Sequence, residues 1–242
     1  MDAIRTSNLT KRYRDVTAVD SLNLHIRQGE LFSLLGINGA GKTTLIKMLS
    51  CLTRPTEGDA WVCGSSIVTE PAQAKRSIAV SPQETAVAPN LTVQENLELI
   101  CGIHGFSKEK TSAKISELTE KLGLEPQLRK KAGTLSGGWQ RRLSIAMALI
   151  SQPQILFLDE PTLGLDVIAR SELWKIIRSL KGNTTVILTT HYMEEAEALS
   201  DRIGILKNGK LLIVGTAKEL MEKTATDRFE NAFLAIVKED AP

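Results

Sequence analysis

The stretch Gly36-Ile37-Asn38-Gly39-Ala40-Gly41-Lys42-Thr43 constrains this chain more than any other. It matches G-x-x-x-x-G-K-[ST], a phosphate-cradling loop. The apolar run Leu31-Phe32-Ser33-Leu34-Leu35 before it reads as a buried strand, and Thr44-Leu45-Ile46-Lys47-Met48-Leu49 after it reads as a helix start. That is the strand–loop–helix context the motif needs. Glycines let the backbone turn tightly, so successive N–H groups aim inward at an anion. The helix N-terminus adds its partial positive charge. In such a loop Lys42 reaches the β- and γ-phosphates and the Thr43 hydroxyl ligates Mg²⁺.

The 242 residues suffice for one large domain, or for a core with a subdomain. A net charge of +2 demands neither a nucleic-acid nor an acidic-lipid partner. The clusters Arg129-Lys130-Lys131 and Arg141-Arg142 read as solvated faces. Cys51, Cys63 and Cys101 lack metal-ligand spacing, and read as free, buried thiols of a reducing compartment. The first five residues do not form a signal peptide. No stretch approaches the ~20 apolar residues that cross a bilayer, so the chain itself is expected to be soluble.

Residues 4–9 and 19–26 read as strands. Between them Tyr13 lies among charges, equally suited to stacking on a flat base or to capping a sheet edge. Residues 54–59 form a turn. Residues 60–62, 66–68 and 78–81 read as short strands, the last ending at Pro82-Gln83-Glu84. Then the character changes. Thr92-x-x-Glu95 is a capping box, and three amphipathic helices follow, the third led by Leu135-Ser136-Gly137-Gly138. Residues 84–152 therefore read as a helical insert in a βα chain. Ile155-Leu156-Phe157-Leu158 is continuously apolar, as a central parallel strand covered on both faces must be. A helix, a strand ending at Thr189-Thr190-His191 and a short acidic helix come next. Asn208-Gly209 marks a hairpin. Residues 216–242 form a short helical extension whose apolar face, Phe229, Ala232, Phe233 and Ile236, packs most simply on the core.

Three further features fit nucleotide chemistry. Asp159 ends a hydrophobic strand, where a carboxylate holds Mg²⁺ through water. Glu160, next to it, is placed to polarise a water for attack on the γ-phosphate. His191 ends the following strand, and touches the γ-phosphate or orients that water. Ligands of open α/β sheets bind at such carboxyl ends.

With these residues in view, the chain closely resembles the ATP-binding subunit of ABC transporters, from about residue 4 to residue 215. Leu135-Ser136-Gly137-Gly138-Trp139-Gln140 resembles the family's signature motif, which other phosphate-loop ATPases lack. The resemblance implies an α/β fold: a phosphate-loop core with a mostly parallel sheet, an N-terminal antiparallel β subdomain and the helical insert, all in one ATP-binding domain over residues 1–242. It implies that Tyr13 stacks on adenine, while Gly36, Asn38, Gly39, Ala40, Gly41, Lys42, Thr43 and Thr44 hold the phosphates. It makes Gln83 a glutamine that reaches Mg²⁺ and the attacking water. Thr43 and Asp159 are then the other metal partners, Glu160 the catalytic base and His191 the switch histidine. Ser136, Gly137 and Gly138 would serve ATP held by a second copy, and Asp166, in Leu163-Gly164-Leu165-Asp166, would be a nucleotide-site residue of the family's D-loop. Ile37 and Val167 stand where the family often has proline, and Trp139 where it often has Gln or Met.

The resemblance also implies ATP and Mg²⁺ as ligands, a head-to-tail pair of subunits, expected to be a homodimer, and a separate membrane permease. The chain would then lie peripherally at the cytoplasmic face of the cell membrane. The stretches 89–97 and 191–197 resemble the subgroup serving ABC-2-type exporters. The insert after Gln83 is the expected permease contact, through Val87, Pro89, Leu91 and Val93. A soluble ABC ATPase of translation or repair would carry a second cassette or a long coiled coil, and a GTPase would carry N-K-x-D. Neither is present, and no nucleic-acid partner is expected.

Overall fold

The computed structural model describes residues 2–239, so the last three residues of the expected extension lie outside the described chain. Two sheets organise it. The first is antiparallel and joins β1 (Asp2–Tyr13), β2 (Val16–Leu22), β3 (His25–Arg27), β5 (Glu57–Val62) and β6 (Ser65–Ser66). The second has the order β11-β10-β4-β9-β8-β7, from β4 (Leu31–Leu35), β7 (Ile78–Ser81), β8 (Ile155–Asp159), β9 (Thr185–Thr190), β10 (Arg202–Lys207) and β11 (Lys210–Gly215). All its pairings are parallel except the β10–β11 hairpin. The helices are α1 (Lys42–Leu49), α2 (Pro71–Arg76), α3 (Val93–Ile103), α4 (Lys108–Leu122), α5 (Gly137–Leu149), α6 (Val167–Leu180), α7 (Met193–Leu199), α8 (Ala217–Lys223) and α9 (Phe229–Glu239).

The apolar strands are continuous because each faces two cores. Leu156 and Leu158 of β8, with Val186 and Leu188 of β9, join the cluster formed with α3, α4, α5 and α6. Their neighbours Ile155, Phe157 and Ile187 join the other cluster, with Phe32, Leu34, α1 and the antiparallel sheet. Side chains alternate along a strand, so successive residues serve opposite layers. A third cluster seats Phe229, Ala232, Phe233 and Ile236 of α9 against Leu35, Ile203 and Ile205. The apolar face of α9 thus packs inward, as its pattern suggested.

Local signals hold where they are self-contained. Thr92 and Glu95 form the reciprocal capping box of α3, and Thr216 and Glu219 that of α8. Asn208 and Gly209 both take positive φ, 49° and 80°, as a two-residue hairpin turn requires. Other readings need correction. The single strand expected over 19–26 is broken, because the Thr6 hydroxyl donates to Leu22 O and accepts from Leu24 N in place of a regular ladder. The strand at 66–68 stops at Ser66, whose Oγ accepts from the N–H groups of Val68 and Thr69 and turns the chain. Helix α2 follows, with Pro71 at its first position, where proline's fixed φ suits a helix start. Strand β5 begins at Glu57, inside the expected turn.

Three side-chain expectations also change. Cys101 is buried, but Cys51 and Cys63 are only partly so. Val93 is fully buried in the helical core, so it presents no apolar surface to a partner, and Val87 packs against that core while remaining partly exposed. Arg141 and Arg142 are not a solvated face: Arg141 is 4% exposed, and Arg142 pairs with Glu172.

Candidate nucleotide site

Strands β4, β9, β8 and β7 lie side by side and end at the same edge. They deliver the loop from Gly36, then His191, Asp159-Glu160 and Gln83 in that spatial order. Within this sheet the chain passes from β4 toward β7 and from β9 toward β10, in opposite directions, the place where open α/β sheets leave a crevice. A cavity of about 440 Å³ opens there, bordered by residues 38–44, Gln83, Glu160 and His191, with Ala18 and Leu163. A larger groove of about 820 Å³ runs along α3 and α4. It is lined by none of the residues expected to hold phosphate or metal, so the smaller cavity is the candidate site.

The loop geometry requires glycine at two close approaches. Gly41 sits at φ 105°, and a Cβ there would meet Ala18 O at 2.3 Å. A Cβ on Gly36 would meet Leu206 O at 2.5 Å. Neither residue can gain a side chain without moving the sheet beneath it. Helix α1 is preceded by Gly41, which offers no side-chain cap, and has no acidic residue in its first turn. Its leading N–H groups are therefore left to an anion.

Lys42 is 5% exposed, and its ammonium donates to Gly36 O at 2.7 Å and Ile37 O at 3.2 Å. It lies 3.6 Å from Glu160 Oε1. Burial pushes its pKa below the usual lysine value, and the charges of Glu160 and Asp159 oppose that. A buried cation beside uncapped N–H groups is a strong attractor for phosphate.

Asp159 is also buried. Its Oδ1 accepts from Thr189 Oγ1 at 2.5 Å and lies 3.4 Å from Thr43 Oγ1. Carboxylate and hydroxyl oxygens converging at the phosphate loop form the hard donor set that Mg²⁺ takes alongside water and phosphate oxygens. These residues fit that ion. Nothing in the sequence marks Thr189 as the residue that orients Asp159, although a strand ends at Thr189-Thr190-His191.

Glu160 stands in the left-handed region, at φ 46°. Its N–H is held by Thr189 O at 3.1 Å and Thr189 Oγ1 at 3.0 Å. Such strain persists only where the surroundings over-determine it, and here it aims the carboxylate at the cavity. Glu160 Oε2 lies 3.4 Å from His191 Nδ1. That nitrogen is buried and makes no well-formed hydrogen bond, an orphaned polar atom beside the site. The imidazole packs on Tyr192, with ring centroids 4.2 Å apart.

The remaining expected site residues lie elsewhere. Tyr13, at the end of β1, is exposed and does not border the cavity; Lys11 Nζ sits 5.1 Å from its ring. Ser136, Gly137 and Gly138 begin α5 away from the cavity, beside α6, where a Cβ on Gly138 would touch that of Ala169. Asp166 caps α6, accepting from the N–H groups of Ile168 and Ala169. Trp139 is partly buried against the helical core, under the Arg142 guanidinium at 4.5 Å.

One buried carboxyl was not anticipated. Glu195 of α7 is fully buried, and its Oε1 accepts from Thr162 Oγ1 and Trp174 Nε1. Burial pushes its pKa up. It sits under the turn after Glu160, joining that turn to α6 and α7.

Residues 19–163 match the family model described as ABC transporter. The daunorubicin resistance ATP-binding protein DrrA3 of Streptomyces coeruleorubidus is 42% identical over 94% of this chain and 72% of its own length. The Nod factor export ATP-binding protein I of Burkholderia thailandensis is 42% identical over 88% of this chain and 70% of its own. A solved ATP-binding cassette, dimeric in a post-hydrolysis state with ADP and Pi, superposes with a TM-score of 0.79. It is 29% identical, over 88% of this chain and 98% of that one.

Proposed function

The chain belongs to the ABC transporter family as an ATP-binding subunit, and from that premise we propose that it hydrolyses ATP at a site shared by two copies and drives export through a separate permease. The observation that carries the reading is the convergence of Lys42, Thr43, Glu160 and His191 on one cavity at the ends of β4, β8 and β9, with the buried Asp159 against Thr43.

Lys42 gives a fixed positive charge to the β- and γ-phosphates, with the N–H groups of residues 39–44 around them. Thr43, Asp159 and Gln83 would hold Mg²⁺, which neutralises charge on the phosphates. Glu160 takes the proton of the attacking water, and His191, beside its other oxygen, orients that water or the γ-phosphate. Tyr13 stacks on adenine. Ser136, Gly137 and Gly138 do not border this chain's own cavity, which supports their acting, with Asp166, on ATP held by a second copy. A half-site cannot surround the γ-phosphate, so ATP joins the copies. Loss of that phosphate removes the contacts favouring the closed pair.

Among the described residues no helix is long and apolar enough to cross a membrane, so transport would be coupled through contact with a permease. The dimeric cassette supports the pairing, and the name of the Nod factor protein supports export. The partly exposed Leu91 and the exposed Pro89, which follow Gln83 in the chain, are the proposed contact. We expect one ATP-binding domain, with residues 84–152 as its moving insert and 216–242 as a terminal extension.

Mixing tests the shared site. Lys42→Ala and Ser136→Arg proteins are each expected to be inactive alone. A mixed pair holds one site with both lesions and one with neither, so phosphate release should partly return on mixing. A mixture that stays inactive, while both proteins fold and pair, would refute the shared geometry.

A further inference from the structure

Arg141 is the most deeply buried arginine among the described residues. It lies one turn into α5, just beyond Ser136-Gly137-Gly138, on the same face as Ile145 and Leu149. Its two terminal nitrogens reach consecutive carbonyls of another segment: Nη1 donates to Pro82 O and Nη2 to Gln83 O, each at 2.5 Å. One turn further along α5, Ser144 Oγ bonds Ser81 Oγ at 2.9 Å. Three successive residues, Ser81, Pro82 and Gln83, are thus fastened to one helix. Gln83 itself is exposed and borders the cavity with Lys42 and Glu160.

The chemistry makes this fastening stiff. A planar guanidinium with two charge-assisted bonds holds its acceptors in orientation as well as in distance. Burial disfavours its charge, and the nearby Asp159 carboxylate supports it. If both carbonyls moved away, the buried cation would lose its hydrogen-bond partners, which is strongly unfavourable. The Gln83 backbone and the start of α5 therefore move together or not at all.

We propose that Arg141 is a positioning residue that locks the Gln83 loop to the helix carrying Ser136-Gly137-Gly138, so that the γ-phosphate end of this chain's cavity and the surface offered to a second copy are set by one rigid joint. The proposal rests on the site reading above for the task of Gln83, but the joint itself rests on the bonds alone.

A double-mutant cycle reads it. Arg141→Lys keeps the charge but cannot span both carbonyls, and is expected to lower kcat by roughly 10- to 100-fold, the scale of a small misplacement. Its KM for ATP should change far less, because Lys42 and the phosphate loop are untouched. In a Gln83→Ala background the same change should cost under about two-fold more. Equal losses in both backgrounds, or a folded Arg141→Lys protein with unchanged kcat, overturn the positioning role. Hydrogen exchange reads the joint without turnover: both Arg141→Lys and Arg141→Met should raise exchange around residues 83–88. Unchanged exchange there in either folded variant overturns the joint. If exchange rises but Gln83→Ala leaves kcat intact, the joint stands and the role given to Gln83 fails instead.

Discussion

Replacing Glu160 with Gln isolates the proposed chemical step from binding. The residue is held by its backbone: φ is 46° and the N–H is fixed to Thr189. A glutamine, equal in shape, keeps that conformation. It loses the charge and the ability to take a proton from water. Loss of a general base costs about 10²–10⁴-fold in rate, or roughly 3–5 kcal/mol on the barrier. Ground-state binding moves the other way. Glu160 Oε1 lies 3.6 Å from Lys42 Nζ and competes with phosphate for that cation. Without the carboxylate, Lys42 is freer to serve ATP, so affinity should hold or rise. The variant is expected to accumulate as an ATP-bound pair. Phosphate release at saturating Mg-ATP gives the rate, labelled ATP gives the affinity, and light scattering gives the mass. A rate within ten-fold of the parent protein would remove Glu160 from the role of base. A parallel loss of affinity would point to collapse of the strained turn instead.

Lys42→Ala should weaken ATP binding itself, because the buried ammonium is the main fixed charge at the loop; an unchanged titration curve with labelled ATP would contradict this. Glu195 gives a pH test of stability. Burial raises its folded pKa, so below the ordinary glutamate value of about 4.3 both states keep the proton and no penalty exists. As pH rises above that value only the unfolded chain releases the proton, and stability falls until the folded carboxyl ionises too. Glu195→Gln should flatten this dependence above the ordinary glutamate value. Glu195→Ala should cost about 1–3 kcal/mol for each donor, Thr162 and Trp174, left unmatched. Thermal melts in which Gln is as damaging as Ala, or in which the slope persists, would refute the assignment. Leu91→Asp, at a partly exposed position, should release the chain from permease-bearing membranes with basal phosphate release largely intact; unchanged co-sedimentation would rule out that surface.

The phosphate loop, both capping boxes, the Asn208-Gly209 hairpin and the two-sided apolar strands are legible because each is a pattern within a few residues. Such patterns answer to backbone geometry and side-chain period, which act locally. They place Gly36–Thr43 between strand and helix, and they set Asp159, Glu160 and His191 at strand ends. Short elements with weak cues, such as Pro71–Arg76 and the break at Asn23-Leu24, are misread where a distant hydroxyl or a single proline decides the path.

By itself the sequence determined the phosphate-loop motif, the α/β class and the family the chain resembles, since those depend on which residues occur at fixed short spacings. Only the tertiary structure decided the pairings between distant residues. Thr43 meets Asp159 across 116 positions and Arg141 reaches Gln83 across 58. Val93 turns inward, Arg141 is buried rather than solvated, and Glu195 lies beneath the turn after Glu160. The reason is physical: burial and partnership of a polar group are properties of the surfaces that close over it, and strand order and helix packing fix those surfaces.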